Sequence, residues 1–233
     1  MIYIRSILFY LGEALSTIPF FIVSLFALMF KPTTRSRMIA GWAKFVTWWL
    51  RVTCGLSHET EGMGNIPQTP CVFACAHSST WETITTQTFL PPLAWVLKKE
   101  LLSIPVFGLG LRATGPIAID RSDSKNALDQ VIDQGIEKFE ENRYVLIFPE
   151  GTRAPWGSPG NYKKGAAKLA IAANRPIVPV AHNAGKYWSK DSFWIKSGKI
   201  RCIIGEPISV EGKTDTELTR EIREWIVSQG LYD

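Results

Sequence analysis

Cys71-Val-Phe-Ala-Cys-Ala-His-Ser-Ser-Thr-Trp-Glu82 is the stretch on which the reading of this chain turns. Residues 71–76 are uniformly apolar and stop at a histidine. A short continuous apolar run of this kind reads as a buried strand. Ser79-Thr-Trp-Glu82 then has the S/T-x-x-E form of a capping box, which opens a helix. Working outward, further apolar runs at 93–97, 116–119, 144–148, 176–181 and 200–204 read as strands. Between them, 126–142 sets Leu128, Val131, Ile132, Ile136 and Phe139 at near-helical spacing, and 163–173 is Ala-rich. Residues 214–228 open with a second capping box, Thr214 and Glu217, and turn Leu218, Ile222 and Trp225 or Ile226 inward. Strands alternating with helices predict an α/β fold: a mixed, largely parallel sheet flanked by helices.

The first 55 residues differ in character. Residues 14–30 carry no charge, and as a helix they extend about 25 Å, the short end of what spans a bilayer. Pro19 predicts a kink. No small-residue cleavage site follows Phe30, only Lys31, Arg35 and Arg37, which argues against a secretory leader and places this end on the cytoplasmic side. A second helical pattern over 38–54 groups Trp42, Phe45, Val46, Trp49 and Leu50 on one face, and Lys44, Thr47 and Arg51 on another. It suits either a helix lying among lipid headgroups or a helix packed on the domain. The expectation is a two-helix membrane anchor over 1–55, dipping into one leaflet or crossing once, and an α/β domain over 56–233.

Composition narrows the function classes. At 46 % hydrophobic and 20 % charged residues, a disordered chain is excluded. The net charge of +5 suits an anionic membrane surface or a phosphorylated ligand, and no nucleic-acid-binding signature accompanies it. Cys54, Cys71, Cys75 and Cys202 include no CxxC pair, so free buried thiols in a reducing compartment are expected, not a disulfide framework or zinc site. Several motifs fail on context. Gly108-x-Gly110-x-x-Ala113 runs into Thr-Gly-Pro-Ile-Ala-Ile where a dinucleotide site needs a helix. Gly212-Lys-Thr214 has Pro207 where a phosphate loop needs glycine, and no G-x-S-x-G elbow is present.

Two segments carry chemistry. On one continuous helix His77 and Glu82 would stand about 140° apart. With His77 ending a strand and the helix starting at Ser79, Glu82 folds back toward the imidazole. That pair suits general-base chemistry on a hydroxyl, since imidazole accepts a proton near neutral pH and a carboxylate stabilises the charged ring. Glu82 as a helix cap and His77 as a core histidine is the competing reading. In Phe148-Pro-Glu-Gly-Thr-Arg153, Gly151 supplies a positive φ for a turn. Arg153 is placed either to hold a phosphate or to sit in solvent.

His77-x4-Glu82, Gly115-Pro-Ile-Ala-Ile-Asp-Arg121, Phe148-Pro-Glu-Gly-Thr-Arg153 and Ile177-Val-Pro-Val180 stand in the order of the four blocks of the glycerolipid acyltransferases. The chain most resembles the bacterial 1-acylglycerol-3-phosphate O-acyltransferases. Lys98-Lys-Glu-Leu-Leu-Ser-Ile-Pro-Val-Phe-Gly108 and Tyr162-Lys-Lys-Gly-Ala-Ala-Lys168 are similar to the flanking segments, so the resemblance covers about residues 60–210. It implies His77 as general base and Glu82 as its carboxylate. It also implies Lys98, Arg121 and Arg153 on the acceptor's phosphate, and Glu150, Gly151 and Thr152 shaping that site. Val178, Pro179 and Val180 would line the acyl side or support the fold. The donor would be an acyl-carrier-protein or coenzyme A thioester, with no bound cofactor or metal. The expected partners are membrane lipids and a lysophospholipid acceptor, at the inner membrane with the catalytic domain facing the cytoplasm. A lyso-ornithine lipid as acceptor, or a membrane-anchored hydrolase, are the alternatives. The family usually has Asp where this chain has Glu82.

Overall fold

The computed structural model describes residues 1–104, 107–120 and 126–232. These form a seven-stranded sheet of β1 (Leu56–Glu61), β2 (Val72–Cys75), β3 (Leu93–Lys98), β4 (Ile117–Ile119), β5 (Tyr144–Ile147), β6 (Ile177–His182) and β7 (Gly198–Ile204). Their spatial order is β1-β7-β6-β2-β5-β3-β4. Neighbours are parallel except β6 and β7. The mixed, largely parallel sheet expected from the sequence is therefore what forms.

Period-two alternation divides the core. Cys71, Phe73 and Cys75 pack with Phe9 of α1 (Ile2–Ala27), Val46 and Leu50 of α2 (Pro32–Cys54) and Trp81 and Ile84 of α3 (Trp81–Thr85). The intervening Val72, Ala74 and Ala76 face the other side. There they meet Val131 and Phe139 of α5 (Ala127–Glu140), Leu169 of α6 (Gly165–Ala172), and Leu218 and Ile222 of α7 (Asp215–Ser228). A strand covered by helices on both faces has no reason to alternate polar and apolar residues. That is why 71–76 is continuously apolar. The capping box of α7 is present in full, and Ile226, not Trp225, is the buried member of the expected alternatives.

Two elements depart from the expectation. β1, Leu-Ser-His-Glu-Thr-Glu, carries too little apolar character to be read as a strand. Among the described residues it pairs with β7 alone, at the sheet edge, and charged residues suit an edge strand. A short α4 (Phe107–Ala113) also went unread before β4. At the opposite edge, where no further strand pairs with β4 among the described residues, Gln134 of α5 bonds to that strand's backbone. Its Oε1 accepts the Ala118 N–H at 3.0 Å and its Nε2 donates to the Ala118 carbonyl at 3.1 Å. Arg143 is wholly buried and donates to the carbonyls of Leu93, Thr114 and Gly115, tying β3 to the turn before β4.

The N-terminal helices pair as a hairpin. The first starts at Ile2, earlier than the apolar run, and continues through Pro19. Trp42 Nε1 donates to Ser16 Oγ at 3.1 Å and Trp49 Nε1 to the Leu8 carbonyl at 3.2 Å. Gly12 permits this approach: a Cβ there would lie 2.1 Å from the Trp49 indole nitrogen. Among the described residues only α1 is long and apolar enough to cross a membrane. The second helix instead sends Val46, Leu50 and Cys54 into the domain core, so it packs on the domain along one face. On α1, Leu15, Ile18 and Ile22 remain 68, 65 and 64 % exposed. An uncovered apolar face of this size marks a membrane or partner surface. The protein is expected to sediment with membranes and to resist release by high salt or carbonate; complete extraction by either would show that α1 is not buried in lipid.

Candidate active site

β2 and β5 are adjacent parallel strands, and both predicted segments leave from their carboxyl ends, where α/β sheets place their ligands. The loop after β5 holds the His77 backbone from two sides. The His77 N–H donates to Glu150 Oε1 at 3.2 Å, and the His77 carbonyl accepts the Ala154 N–H at 2.7 Å. Phe148 stacks on the imidazole, with centroids 3.9 Å apart and planes 14° apart. The ring's orientation is thereby fixed by β5 as well as by its own strand.

Glu82 lies in the first turn of α3 and is fully buried. Its Oε1 is 2.8 Å from His77 Nδ1 and also accepts the N–H groups of Ser78 at 2.9 Å and Ser79 at 2.8 Å. The capping box expected over 79–82 does not form: the helix starts at Trp81 with Thr80 as N-cap and no side-chain cap bond, and Glu82 instead gathers the Ser78 and Ser79 amides together with the imidazole. Burial opposes its charge, yet the imidazoles of His182 and His77 and the Ser79 amide outweigh burial and hold the carboxyl below its ordinary range. An ionised Glu82 requires His77 Nδ1 to be the donor, which leaves Nε2 as the acceptor nitrogen.

Glu150 is a different carboxyl. Burial raises it to about 7, only partly opposed by backbone amides and Tyr162. It is 5 % exposed and bonded to the His77 backbone, so its contact is with the base and not with solvent. Gly151 has φ 70°, the left-handed value its turn requires, and a Cβ there would meet Lys163 Cε and Nζ at 3.1 Å. Thr152 and Arg153 are exposed on the same loop, and Arg153 Nη1 donates to Thr80 Oγ1 at 2.9 Å. That bond brings Arg153 beside the His77–Glu82 segment. Lys98 is exposed at the carboxyl end of β3, opposite Ile119 of β4. Arg121 lies outside the described residues; the described chain reaches Asp120, whose N–H donates to Gln130 of α5 at 2.9 Å.

Two residues near the pair were not singled out in the sequence. Lys163 packs over Gly151 and brings a second cation to the loop that carries Arg153. His182, at the end of β6, is 1 % exposed, with Nε2 3.7 Å from Glu82 Oε2. Lys163 stands in a flanking segment already noted, whereas a histidine ending a buried strand gave no local signal. A hollow of about 550 Å³ opens between α2 and the loop before β3, lined by Ile39, Ala40, Ile66, Phe89, Leu90 and Trp95. Arg37, Lys44 and Gln87 also line it, and its aromatic wall leads toward the imidazole, since Trp95 lies 6.0 Å from Phe148, centroid to centroid. Among the described residues no group of three His, Cys, Asp or Glu side chains could hold a metal, and all four cysteines are free and buried.

Known proteins share this architecture. The chain is 42 % identical over 96 % of its length to a 1-acyl-sn-glycerol-3-phosphate acyltransferase of Pseudomonas aeruginosa, covering 89 % of that protein. It is 30 % identical to the human 1-acyl-sn-glycerol-3-phosphate acyltransferase beta, over 80 % of this chain and 67 % of that one. The crystal structure of the 1-acyl-sn-glycerophosphate acyltransferase of Thermotoga maritima superposes with a TM-score of 0.81 at 23 % identity, over 99 % of this chain and 94 % of that chain, a likeness of fold. The Acyltransferase family model matches residues 57–183, a span that begins in β1 and ends just past His182. With that match and the Pseudomonas relative together, the chain belongs to the acyltransferase family.

Proposed function

We propose that the protein is a 1-acyl-sn-glycerol-3-phosphate acyltransferase, moving an acyl group from a thioester to the free hydroxyl of the lysolipid to give phosphatidic acid. The observation that carries this reading is the His77 imidazole, whose Nδ1 is tied at 2.8 Å to a buried carboxylate. The names of the relatives support the choice of acceptor. His77 Nε2 takes the hydroxyl proton as the oxygen attacks the thioester carbonyl carbon. Glu82 stabilises the imidazolium that forms. The tetrahedral intermediate collapses to the ester, the carbon–sulfur bond breaks, and the proton on Nε2 passes to the departing thiolate. Arg153, Lys163 and the segment carrying Arg121 bind the acceptor's phosphate. Lys98, at the end of β3, stands on the same edge of the sheet. The hollow beneath α2 receives an acyl chain.

The donor is an acyl-carrier-protein or coenzyme A thioester, and the domain works on the cytoplasmic side of the inner membrane with residues 1–55 as its attachment. The test is an assay of purified protein with both donors and a panel of lysolipids, for wild type and Arg153→Lys. Lys keeps the charge but loses the paired hydrogen bonds of the guanidinium, about 1.5–3 kcal/mol, so phosphate-bearing acceptor should be used about ten- to a hundred-fold less well. Equal loss with a phosphate-free acceptor would place Arg153 in the scaffold. Release of free fatty acid without acyl transfer would make the protein a hydrolase.

A further inference from the structure

The carboxylate of Glu82 is unevenly served. Oε1 collects His77 Nδ1 and two backbone N–H groups, whereas Oε2 is buried with no hydrogen-bond partner among the described residues. The group facing Oε2 is His182 Nε2 at 3.7 Å. The neighbours of His182 define its tautomer. Its Nδ1 accepts the Ala184 N–H at 3.2 Å, so the ring proton is on Nε2, which donates to the Ala76 carbonyl at 2.8 Å. Ala76 is the residue before His77. The second imidazole therefore clamps the backbone that carries the base and turns a polar N–H edge toward the far oxygen of the base's partner.

We infer that His182 is a positioning residue for acyl transfer: its neutral Nε2–H edge compensates Glu82 Oε2 inside the protein and sets the proton affinity of the His77–Glu82 pair. The inference rests on the proposed reaction. Burial lowers the proton affinity of His182 more than the Glu82 charge raises it, which fits a ring that stays neutral while its dipole acts. Titratable groups on the packed elements are His77 and Cys75 from β2 and its end, Glu82 from α3, Glu150 from the loop after β5, and Cys202 from β7. Beyond Glu150 lie Tyr162 and Tyr232. Burial raises Cys75 far above its ordinary value and Cys202 to about 12, so both thiols stay neutral through the working range. Glu150, raised to about 7 by burial with a further push from the Glu82 charge, titrates within that range, and its hydrogen bond is to the His77 backbone N–H.

The sign of the effect follows. Removing a dipole that stabilises the carboxylate makes the pair bind a proton more readily, so the His77 imidazole should titrate at higher pH. Asn at 182 can still reach the Ala184 N–H but ends short of Glu82, Met fills the space without an N–H, and Gln places an amide N–H near the position of Nε2. The experiment is an NMR titration of the His77 ring in the resting protein, with kcat and KM against pH, for His182→Asn, His182→Met and His182→Gln. In Asn and Met the His77 titration and the acid limb of kcat/KM should move up by about half to one pH unit. At pH below that limb their kcat should therefore fall about three- to tenfold and recover at higher pH, with acceptor KM unchanged, and Gln should restore the wild-type profile. A wild-type His77 titration in whichever of Asn or Met folds, or a displaced one in Gln, overturns the inference. Since the NMR titration needs no substrate, absence of acyl transfer in the wild type would sink the assigned reaction and leave this test standing.

Discussion

Glu82→Gln should fold and lose about 10³- to 10⁴-fold in turnover, as loss of the orienting carboxylate does in a comparable triad. The geometry explains why the fold survives. Glu82 Oε1 accepts three N–H groups, and an amide oxygen can accept the same three. What changes is charge: a neutral amide leaves the imidazolium uncompensated when His77 takes its proton. The new NH2 group also faces the N–H edge of His182 across 3.7 Å, two donors with no acceptor between them. That costs about 1–2 kcal/mol, or a few degrees in Tm for a chain of this length. Glu82→Asp keeps the charge but shortens the reach by one methylene, and should stay at least about tenfold above Gln. Steady-state rates and thermal melts on the two variants check both statements. Near wild-type turnover in the Gln variant would reduce Glu82 to a cap.

His77→Ala should cost about 10⁴-fold in kcat, the upper end of what a general base contributes. Folding should survive here too, because the Ser78 and Ser79 amides still hold Glu82 Oε1. Acceptor binding should change little, since the cations at the rim are untouched. A variant retaining a few per cent of wild-type turnover would move proton removal to another group.

Much of this was legible in the sequence because burial on both faces of the sheet leaves a plain signature. The run 71–76, the apolar start of β5 and the Ala-rich α6 each stood out by composition. The return of Glu82 to His77 was readable as a possibility, from a strand end followed by a helix start, although the helix begins at Trp81 without the expected side-chain cap. What stayed hidden depends on pairing across the chain. β1 is polar because it is an edge strand, so nothing in Leu-Ser-His-Glu-Thr-Glu separates it from a loop until β7 lies beside it. His182 follows Ile177-Val-Pro-Val180 by two residues, but its meaning depends on Glu82, a hundred positions earlier. α2 carries both an amphipathic face and a core face, and only the position of the sheet shows that Val46 and Leu50 are inside.

The central claim is that His77 and Glu82 act as one unit, and a double-substitution cycle tests it most directly. Groups that act together are strongly non-additive: once the base is gone, its carboxylate has nothing to stabilise. The measurement is kcat with a lysophosphatidic acid acceptor and one saturating thioester donor, for wild type, His77→Ala, Glu82→Gln and the double variant. The double variant should be no slower than His77→Ala alone, within about threefold. A double variant slower by the product of the two single losses would contradict the account, because the two side chains would then be contributing to catalysis independently.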